Sequence, residues 1–119
     1  MAENAKSYRD LEIWKLGIEI VKDVYRLTSG FPQHEMYGLV GQMRRCSVSI
    51  PSNVAEGFRR QHNKEFRQFL HVSLGSCAEL ETQATIGREL GYMGRKEEAE
   101  LLEKLDHECR MVMNLTKKL

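Results

Sequence analysis

The sequence has 119 residues, which suits a single domain with one ordinary hydrophobic core. Hydrophobic residues make up 41% and charged residues 29%, and the formal net charge is only +1, so overall charge gives no nucleic-acid or membrane signature. No apolar run approaches the ~20 residues of a transmembrane helix, and the first residues lack a secretory signal pattern, so we expect a cytoplasmic protein.

The first predicted helix runs from about Asp10 to Thr28. Its apolar residues recur at the three- and four-residue spacing of one helical face, and they are Ile13, Leu16, Ile20, Val24 and Leu27. Gly30 and Pro32 follow, and these two residue types commonly end a helix. Residues 1–9 precede this helix and are predicted to form a flexible N-terminal arm.

The second predicted helix runs from about Gln33 to Arg60 and contains Pro51. Proline inside a helix removes one backbone donor and collides with the carbonyl four residues earlier, so the helix either breaks before Pro51 or continues with a kink. The apolar stripe keeps its phase past the proline, and Ile50 would be a poor cap for a new helix. We therefore predict a single helix that is kinked at Pro51.

Two further helices are predicted, from about Lys64 to Leu90 and from about Arg95 to Lys118. The third helix repeats apolar and small residues in a narrow stripe, namely Phe66, Leu70, Ser73, Cys77, Leu80, Ala84 and Gly87. The stripe of the fourth helix is Leu102, Leu105, Cys109, Val112 and Leu119. Because all connections are short, neighbouring helices are expected to run antiparallel. The sequence thus predicts one all-α domain over residues 1–119, an antiparallel up-down-up-down four-helix bundle.

No residue pattern of a catalytic, metal or cofactor site is present. None of the 4 histidines has a glutamate three residues earlier, whereas di-metal bundles use Glu-x-x-His pairs. No glycine-rich phosphate loop occurs either. Cys46, Cys77 and Cys109 are widely spaced and form no CxxC pair, so we interpret them as small buried core residues that stay reduced. We expect a protein that is not an enzyme and binds no cofactor, metal or small-molecule substrate.

Charge is distributed unevenly along the chain. Between residues 42 and 71 only two glutamates accompany the cations Arg44, Arg45, Arg59, Arg60, Lys64 and Arg67. Between residues 78 and 108 acidic residues predominate. Two interpretations stay open: solvated helix faces with local ion pairs, or a basic patch near the turn between the second and third helices that contacts the phosphates of RNA or DNA.

A second stripe on the second helix lies away from its main apolar face. At about 100° per residue, Val48, Ser52 and Ala55 lie together on the helix surface. Because these side chains are small, another helix could approach them closely. The stripe is therefore either a contact between subunits or a surface feature without such a role.

Residues 49–57 read SIPSNVAEG and resemble the SIPSNIAEG motif of a bacterial family of four-helix bundles, the 23S rRNA intervening-sequence (S23) proteins. Other segments resemble that family in the same order, and they are residues 10–14, 31–39, 64–70, 78–83 and 90–92. The resemblance covers about residues 8 to 116. Val54 stands where isoleucine is commoner in the family, and Cys46 stands where alanine is frequent; both changes are conservative.

The resemblance implies a bundle that assembles as a ring-like homopentamer and has no catalytic residues. It makes the motif and its neighbours candidates for the subunit interface, namely Val48, Ser49, Pro51, Ser52, Asn53, Ala55, Glu56 and Gly57. Some family members are encoded inside insertions in the large ribosomal RNA gene, which suggests an RNA-related role. The leading hypothesis is an oligomer that binds RNA or DNA through the basic patch, and the alternative is a protein-interaction scaffold that does not bind nucleic acid.

Overall fold

The computed structural model describes residues 5–119. This part of the chain folds into four α-helices, which are α1 (Glu12–Thr28), α2 (Leu39–Arg59), α3 (Asn63–Glu89) and α4 (Arg95–Thr116). Single turns of 3-10 helix at Tyr8–Asp10 and Gln33–Glu35 precede α1 and α2, and no strand occurs within the described range. The predicted all-α four-helix fold is confirmed.

Contacts between α2 and α3 pair residues in reversed order along the two helices. In the first half of α2, the Cys46 thiol donates a hydrogen bond to the carbonyl of Ser76, with a distance of 3.1 Å. At the end of α2, Gly57 lies against Phe69, which comes earlier in α3. These two helices therefore run in opposite directions. Each helix contacts the next one along the chain, and α4 also packs on α1, so the four helices enclose one core.

Helix α2 continues through Pro51 without a break. Pro51 is buried against Gly17 of α1, where an added Cβ would lie only 3.1 Å from the Pro51 Cβ. The hydroxyl of Ser73 on α3 donates a hydrogen bond of 2.9 Å to the carbonyl of Ile50. The neighbouring helix thus supplies a donor to the backbone beside the proline, which itself has no N–H. A kink at this position stays a prediction.

The second helix begins later than the sequence predicted. Gln33–Glu35 forms a separate 3-10 turn, and Gly38, with φ −109° and ψ −114°, separates that turn from α2. The Glu35 carboxylate accepts a hydrogen bond of 3.2 Å from the backbone N–H of Leu39. Glu35 therefore satisfies a free donor in the first turn of α2, a contact that hydrophobic periodicity does not reveal.

The buried face of α4 differs by one position from the predicted stripe. Leu102 and Cys109 are only partly buried, whereas Glu108 is completely buried. The observed stripe consists of Glu98, Leu101, Leu105, Glu108 and Val112. The sequence pattern did not predict that Glu108 is buried, because an unpaired carboxylate is rarely buried in a protein core.

The core consists of two apolar clusters. The upper cluster includes Ile20, Val24, Met43, Leu80, Leu101 and Leu105, and the lower cluster includes Ile13, Val54, Phe66, Leu70 and Val112. Buried small or polar residues separate them along three helices: Gly17 on α1, Ser73 on α3 and Glu108 on α4. Neither carboxylate oxygen of Glu108 has a hydrogen-bond partner in the described chain, and burial raises the pKa of this carboxyl to about 8.

Part of the predicted N-terminal arm, residues 1–9, packs on the bundle. Its first four residues lie outside the described part of the chain. Ala5 and Tyr8 pack against the lower cluster. Ser7 and Asp10 hold the intervening turn, since the Asp10 carboxylate accepts a hydrogen bond of 3.1 Å from the Ser7 N–H. From Ala5 onward the segment therefore packs on the bundle, and the flexibility of the arm stays a prediction.

Candidate nucleic-acid interface and subunit surface

One end of the bundle, called the basic end below, brings together the start of α1, the end of α2, the start of α3 and the end of α4. The turn between α2 and α3 spans only residues 60–62, and Gln61 adopts a left-handed φ of 63° in this tight reversal. The predicted cations that lie at this end are Arg59, Arg60, Lys64 and Arg67. The short turn is what holds these four residues close together.

Two of these four cations are held in contacts within the chain. The Arg60 guanidinium lies 3.4 Å from the Glu56 carboxylate and 3.9 Å from that of Glu65. The Arg67 guanidinium donates a hydrogen bond to the backbone carbonyl of Leu119, the last residue of the chain. These contacts neutralise Arg60 in part and fix the end of the chain beside the start of α3.

The other two cations, Arg59 and Lys64, are exposed and form no ion pair within the described residues. The Arg59 guanidinium lies over the ring of Tyr8, 5.6 Å from its centre. Arg9 lies over the same ring at 5.4 Å and over the Trp14 ring at 5.1 Å. Tyr8 thus contacts two arginines at the basic end through cation–π interactions.

Sequence reasoning missed three cations of the basic end: Arg9, Lys117 and Lys118. The two lysines are exposed and follow the end of α4, next to the chain end that Arg67 contacts. A sufficient signal was available, because an antiparallel bundle brings the first and last residues of the domain to the turn between the second and third helices.

Arg44 and Arg45 do not belong to this group. They precede Arg59 by 15 and 14 residues on the same helix, which corresponds to roughly 21–22 Å along its axis. Arg44 donates a hydrogen bond of 3.0 Å to the Thr28 hydroxyl and lies 4.6 Å from the centre of the Tyr25 ring. The structure therefore divides the predicted basic patch and leaves these two arginines outside the basic end.

The predicted surface stripe of α2 forms one wall of a groove between α1 and α2. The groove has a volume of about 300 Å³ and is lined by Tyr8, Trp14, Ile18, Val21, Val48, Pro51, Ser52 and Ala55. Ile18 is 36% exposed and Val48 is 40% exposed, which is high for aliphatic side chains. The sequence pattern did not indicate the α1 wall, because Trp14 and Val21 lie beside the core stripe of that helix.

Comparisons with known proteins agree with this fold. Residues 9–114 match the family model described as 23S rRNA-intervening sequence protein. The chain belongs to this family. Its fold is similar to the crystal structure of a protein with unknown function from the S23 ribosomal protein family of Bacteroides thetaiotaomicron, with a TM-score of 0.79 and 16% sequence identity over 88% of this chain and 98% of that chain. No curated protein matches the sequence.

In this member of the 23S rRNA-intervening sequence family, several motif residues make contacts within the chain. The Asn53 amide donates a hydrogen bond of 2.7 Å to the Ser49 carbonyl, and the Ser49 hydroxyl is hydrogen-bonded to that of Ser76. Gly57 is buried, and an added Cβ there would lie 2.7 Å from the Phe69 Cβ. Ser49 and Gly57 therefore take part in the packing of α2 on α3, and the Asn53 amide bonds within α2, whereas Val48, Ser52 and Ala55 line the groove.

Within residues 5–119, no group of three or more histidine, cysteine, aspartate or glutamate side chains has an arrangement that could hold a metal ion. In the same part of the chain, no helix has the length and apolar character needed to cross a bilayer.

Proposed function

We propose that this protein is a cytoplasmic, non-enzymatic member of the family that assembles as a ring through the α1–α2 groove and binds RNA or DNA through the basic end. The observation that carries the nucleic-acid part is the convergence of cations from the ends of all four helices, namely Arg9, Arg59, Lys64, Lys117 and Lys118. None of them forms an ion pair within the described residues. Their charge is therefore available to an external anion.

Phosphate is the anion that this arrangement fits best. Arginine presents a planar fork that can donate two hydrogen bonds to one phosphate, and the guanidinium groups of Arg9 and Arg59 both contact the Tyr8 ring. The start of α3 lies at the same end, and no side chain of His62 caps its first turn. The free amides and the dipole of that turn also favour a negative charge.

Among the described residues, the aromatic rings near the basic end contact other side chains of the chain. Phe58 and Phe66 pack edge-to-face with 6.0 Å between ring centres, and both belong to the lower cluster. Tyr8 and Trp14 are covered by arginine guanidinium groups. We therefore expect contacts to the nucleic-acid backbone and little dependence on base sequence.

The groove supports self-association because it exposes contiguous apolar surface between two helices of small and aliphatic residues. Such a surface commonly marks an interaction site. A ring of five subunits, which the family resemblance implies, would repeat the basic end five times. Repetition turns individually weak phosphate contacts into a strong collective interaction.

The nucleic-acid part is tested by fluorescence anisotropy with RNA and DNA oligonucleotides of the same sequence, measured over a range of salt concentrations. We expect wild-type protein to bind both, with an affinity that falls steeply as salt rises. The double variant Arg59→Glu/Lys64→Glu should lose at least about tenfold in affinity for both and have a weaker salt dependence.

The matched control is Arg45→Glu/Lys96→Glu, which makes the same change of charge at exposed sites away from the basic end. It should retain most of the affinity. Equal losses in the two double variants would mean that overall charge, and not the basic end, determines binding. If wild-type protein shows no anisotropy change at low salt and tens of micromolar protein, the nucleic-acid proposal fails and the protein-interaction scaffold becomes the leading function.

The assembly part is tested by light scattering and native mass spectrometry. Ala55→Arg should dissociate the oligomer, because it would bury an unpaired charge in the groove. Ala99→Arg introduces the same side chain at an exposed site on α4 and should leave the oligomer intact. A wild-type protein that stays monomeric at high micromolar concentration would rule out the assembly.

A further inference from the structure

A second groove lies on the surface of the bundle, between α3 and α4. It has a volume of about 410 Å³ and is lined by Glu81, Thr82, Thr85, Ile86 and Leu102. Ile86 is 43% exposed, and Leu102 is only partly buried. Like the α1–α2 groove, this α3–α4 groove therefore exposes aliphatic side chains where two helices meet.

The two grooves lie on opposite faces of the bundle. Among the described residues, α1 packs on α2 and α4, and α3 packs on the same two helices, whereas α1 does not contact α3 and α2 does not contact α4. The four helices therefore occupy the corners of a square, in which the α1–α2 edge is opposite the α3–α4 edge. One copy of the chain can thus contact two neighbours at once, one through each groove.

The surface of α3 beside the second groove permits the close approach of another helix. His71, Gly75, Ala78, Thr82 and Ile86 are exposed, and their spacing of three or four residues places them along one side of α3. A Cβ added to Gly75 would meet no atom within 4 Å. Because three of these five side chains are small, the backbone of a second chain can come close to this side of α3.

Unpaired cations flank the α1–α2 groove. Lys22 directly follows a residue that lines this groove, is exposed and forms no ion pair within the described residues. Arg44 lies one helical turn before the first residue with which α2 lines the groove, and it forms no ion pair in that part of the chain either. The carboxylates of Glu19 and Asp23 lie on the other side of α1, at 3.6 and 2.7 Å from the Lys104 ammonium of α4. The α1–α2 face is therefore positively charged.

The α3–α4 groove contains an unpaired carboxylate. Glu81 lines this groove and forms neither a hydrogen bond nor an ion pair within residues 5–119. The neighbouring charges cancel in pairs, since Arg88 lies 2.8 Å from the Glu98 carboxylate and Arg110 lies 2.9 Å from that of Asp106. The charge of Glu81 remains, so this groove is negative where the α1–α2 face is positive.

We propose that the α1–α2 groove of one copy docks on the α3–α4 groove of the next copy. This docking rests on the assembly part of the proposed function, and it adds the surface that receives the α1–α2 groove. The contact buries aliphatic side chains from both grooves and brings opposite charges together. Because the two surfaces differ, every docked pair still has one free groove of each kind, and further copies add head to tail until the ring closes.

The test uses two variants, each of which blocks one groove. Thr82→Arg places a long cation in the α3–α4 groove, where docking would bury it without a partner against the positive face of the next copy. Ala55→Arg blocks the α1–α2 groove in the same way. By native mass spectrometry and light scattering, each variant alone should have the mass of a single chain. An equal mixture should form a 1:1 heterodimer and nothing larger, because it contains only one intact groove of each kind per pair.

His107→Arg and Ala99→Arg are the matched controls, because neither residue lines either groove, and both should keep the wild-type mass. Circular dichroism checks that every variant is helical. If a blocking variant is not, carbodiimide cross-linking of the wild-type oligomer decides the proposal. It should join the peptide of Lys22 to that of Glu81, and this link must form between copies because the two residues lie on opposite faces of one chain.

The docking is overturned if Thr82→Arg keeps the wild-type mass, or if this variant forms homodimers through its intact groove and no heterodimer appears in the mixture. Cross-links that join only other faces of the wild-type oligomer would overturn it as well. In each case a dissociated Ala55→Arg leaves the assembly part of the proposed function standing. A monomeric wild type, or an Ala55→Arg variant that stays assembled, would refute that assembly itself and the docking with it.

Discussion

The two ends of the bundle differ in the contacts that position their charged side chains. At the end opposite the basic end, called the far end, carboxylates accept hydrogen bonds from the chain itself. The Glu35 carboxylate accepts a hydrogen bond of 3.2 Å from the backbone N–H of Leu39 and one of 2.9 Å from the Tyr92 hydroxyl. The bond from Leu39 is the main reason that the pKa of Glu35 lies below its usual range. Arg88 lies 2.8 Å from Glu98 in the same way. Charges at the far end therefore stabilise loops and helix contacts.

At the basic end, Arg59 and Lys64 are exposed and form no ion pair within the described chain. Arg9 and Arg59 are held by the Tyr8 ring, which positions them without cancelling their charge. Like charges that lie close together repel one another, which lowers the stability of the folded protein. They also produce a positive electrostatic potential at the surface. Under the proposed function, contacts at the far end stabilise the fold and the exposed cations of the basic end bind nucleic acid.

The largest expected effect on stability comes from the upper cluster, which includes Phe31 and Met93 near the far end. Leu80 is completely buried in the upper cluster, so Leu80→Ala should lower the free energy of unfolding by about 2–5 kcal/mol, because it removes apolar contacts and leaves a cavity. Urea denaturation measures this loss. Below the unfolding transition, the variant should bind nucleic acid as the wild type does. A loss under about 0.5 kcal/mol would contradict the close packing of this position.

The next effect depends on Glu108, which lies between the two clusters. Its pKa is about 8 in the folded protein, because burial disfavours the charged form, and it returns to its ordinary value on unfolding. Between about pH 5 and 8 the folded state therefore keeps a proton that the unfolded state releases, so stability falls as pH rises. Glu108→Gln should reduce this fall and be more stable than wild type at pH 8 by roughly 2–4 kcal/mol.

Urea denaturation at several pH values measures the effect of Glu108→Gln. Glu103→Gln is the matched control, because Glu103 is an exposed glutamate on the same helix and should leave the pH dependence as it is in the wild type. A wild-type stability that does not change between pH 5 and 8 would mean that Glu108 is ionised in the folded protein, or that it finds a partner there.

Much of the fold follows from local pattern. The number of helices, the end of α1 at Thr28 and the start of α4 at Arg95 could be predicted, because the hydrophobic spacing and the glycine and proline signals act within a few residues. The start of α2 could not, because its capping group is the side chain of Glu35 in the preceding turn. The buried Glu108 could not either, because its burial results from the packing of the whole bundle and contradicts the residue's usual preference.

The candidate site could be predicted only in part. Arg59 and Lys64 are close in sequence and meet across one turn, so a local count of charge finds them. The same count also included Arg45, because counting along the chain combines residues that lie at different heights of one helix. Arg9 and Lys117 come from the two ends of the described chain, and only the topology of the bundle brings them to this end.

The smallest effect tests how the basic end keeps its shape, and it compares two glycines. Gly57 holds α2 close to α3, and in Gly57→Ala the new Cβ would lie 2.7 Å from the Phe69 Cβ, so we expect a loss of about 1–3 kcal/mol of stability and weaker nucleic-acid binding. Gly75 lies in the interior of α3 with open space around it, so Gly75→Ala should gain about 0.5–1 kcal/mol through helix propensity alone. Urea denaturation and anisotropy measure both variants. If both gained stability equally, the close approach at Gly57 would not constrain the turn between α2 and α3, and Arg59 and Lys64 would owe their positions to other contacts.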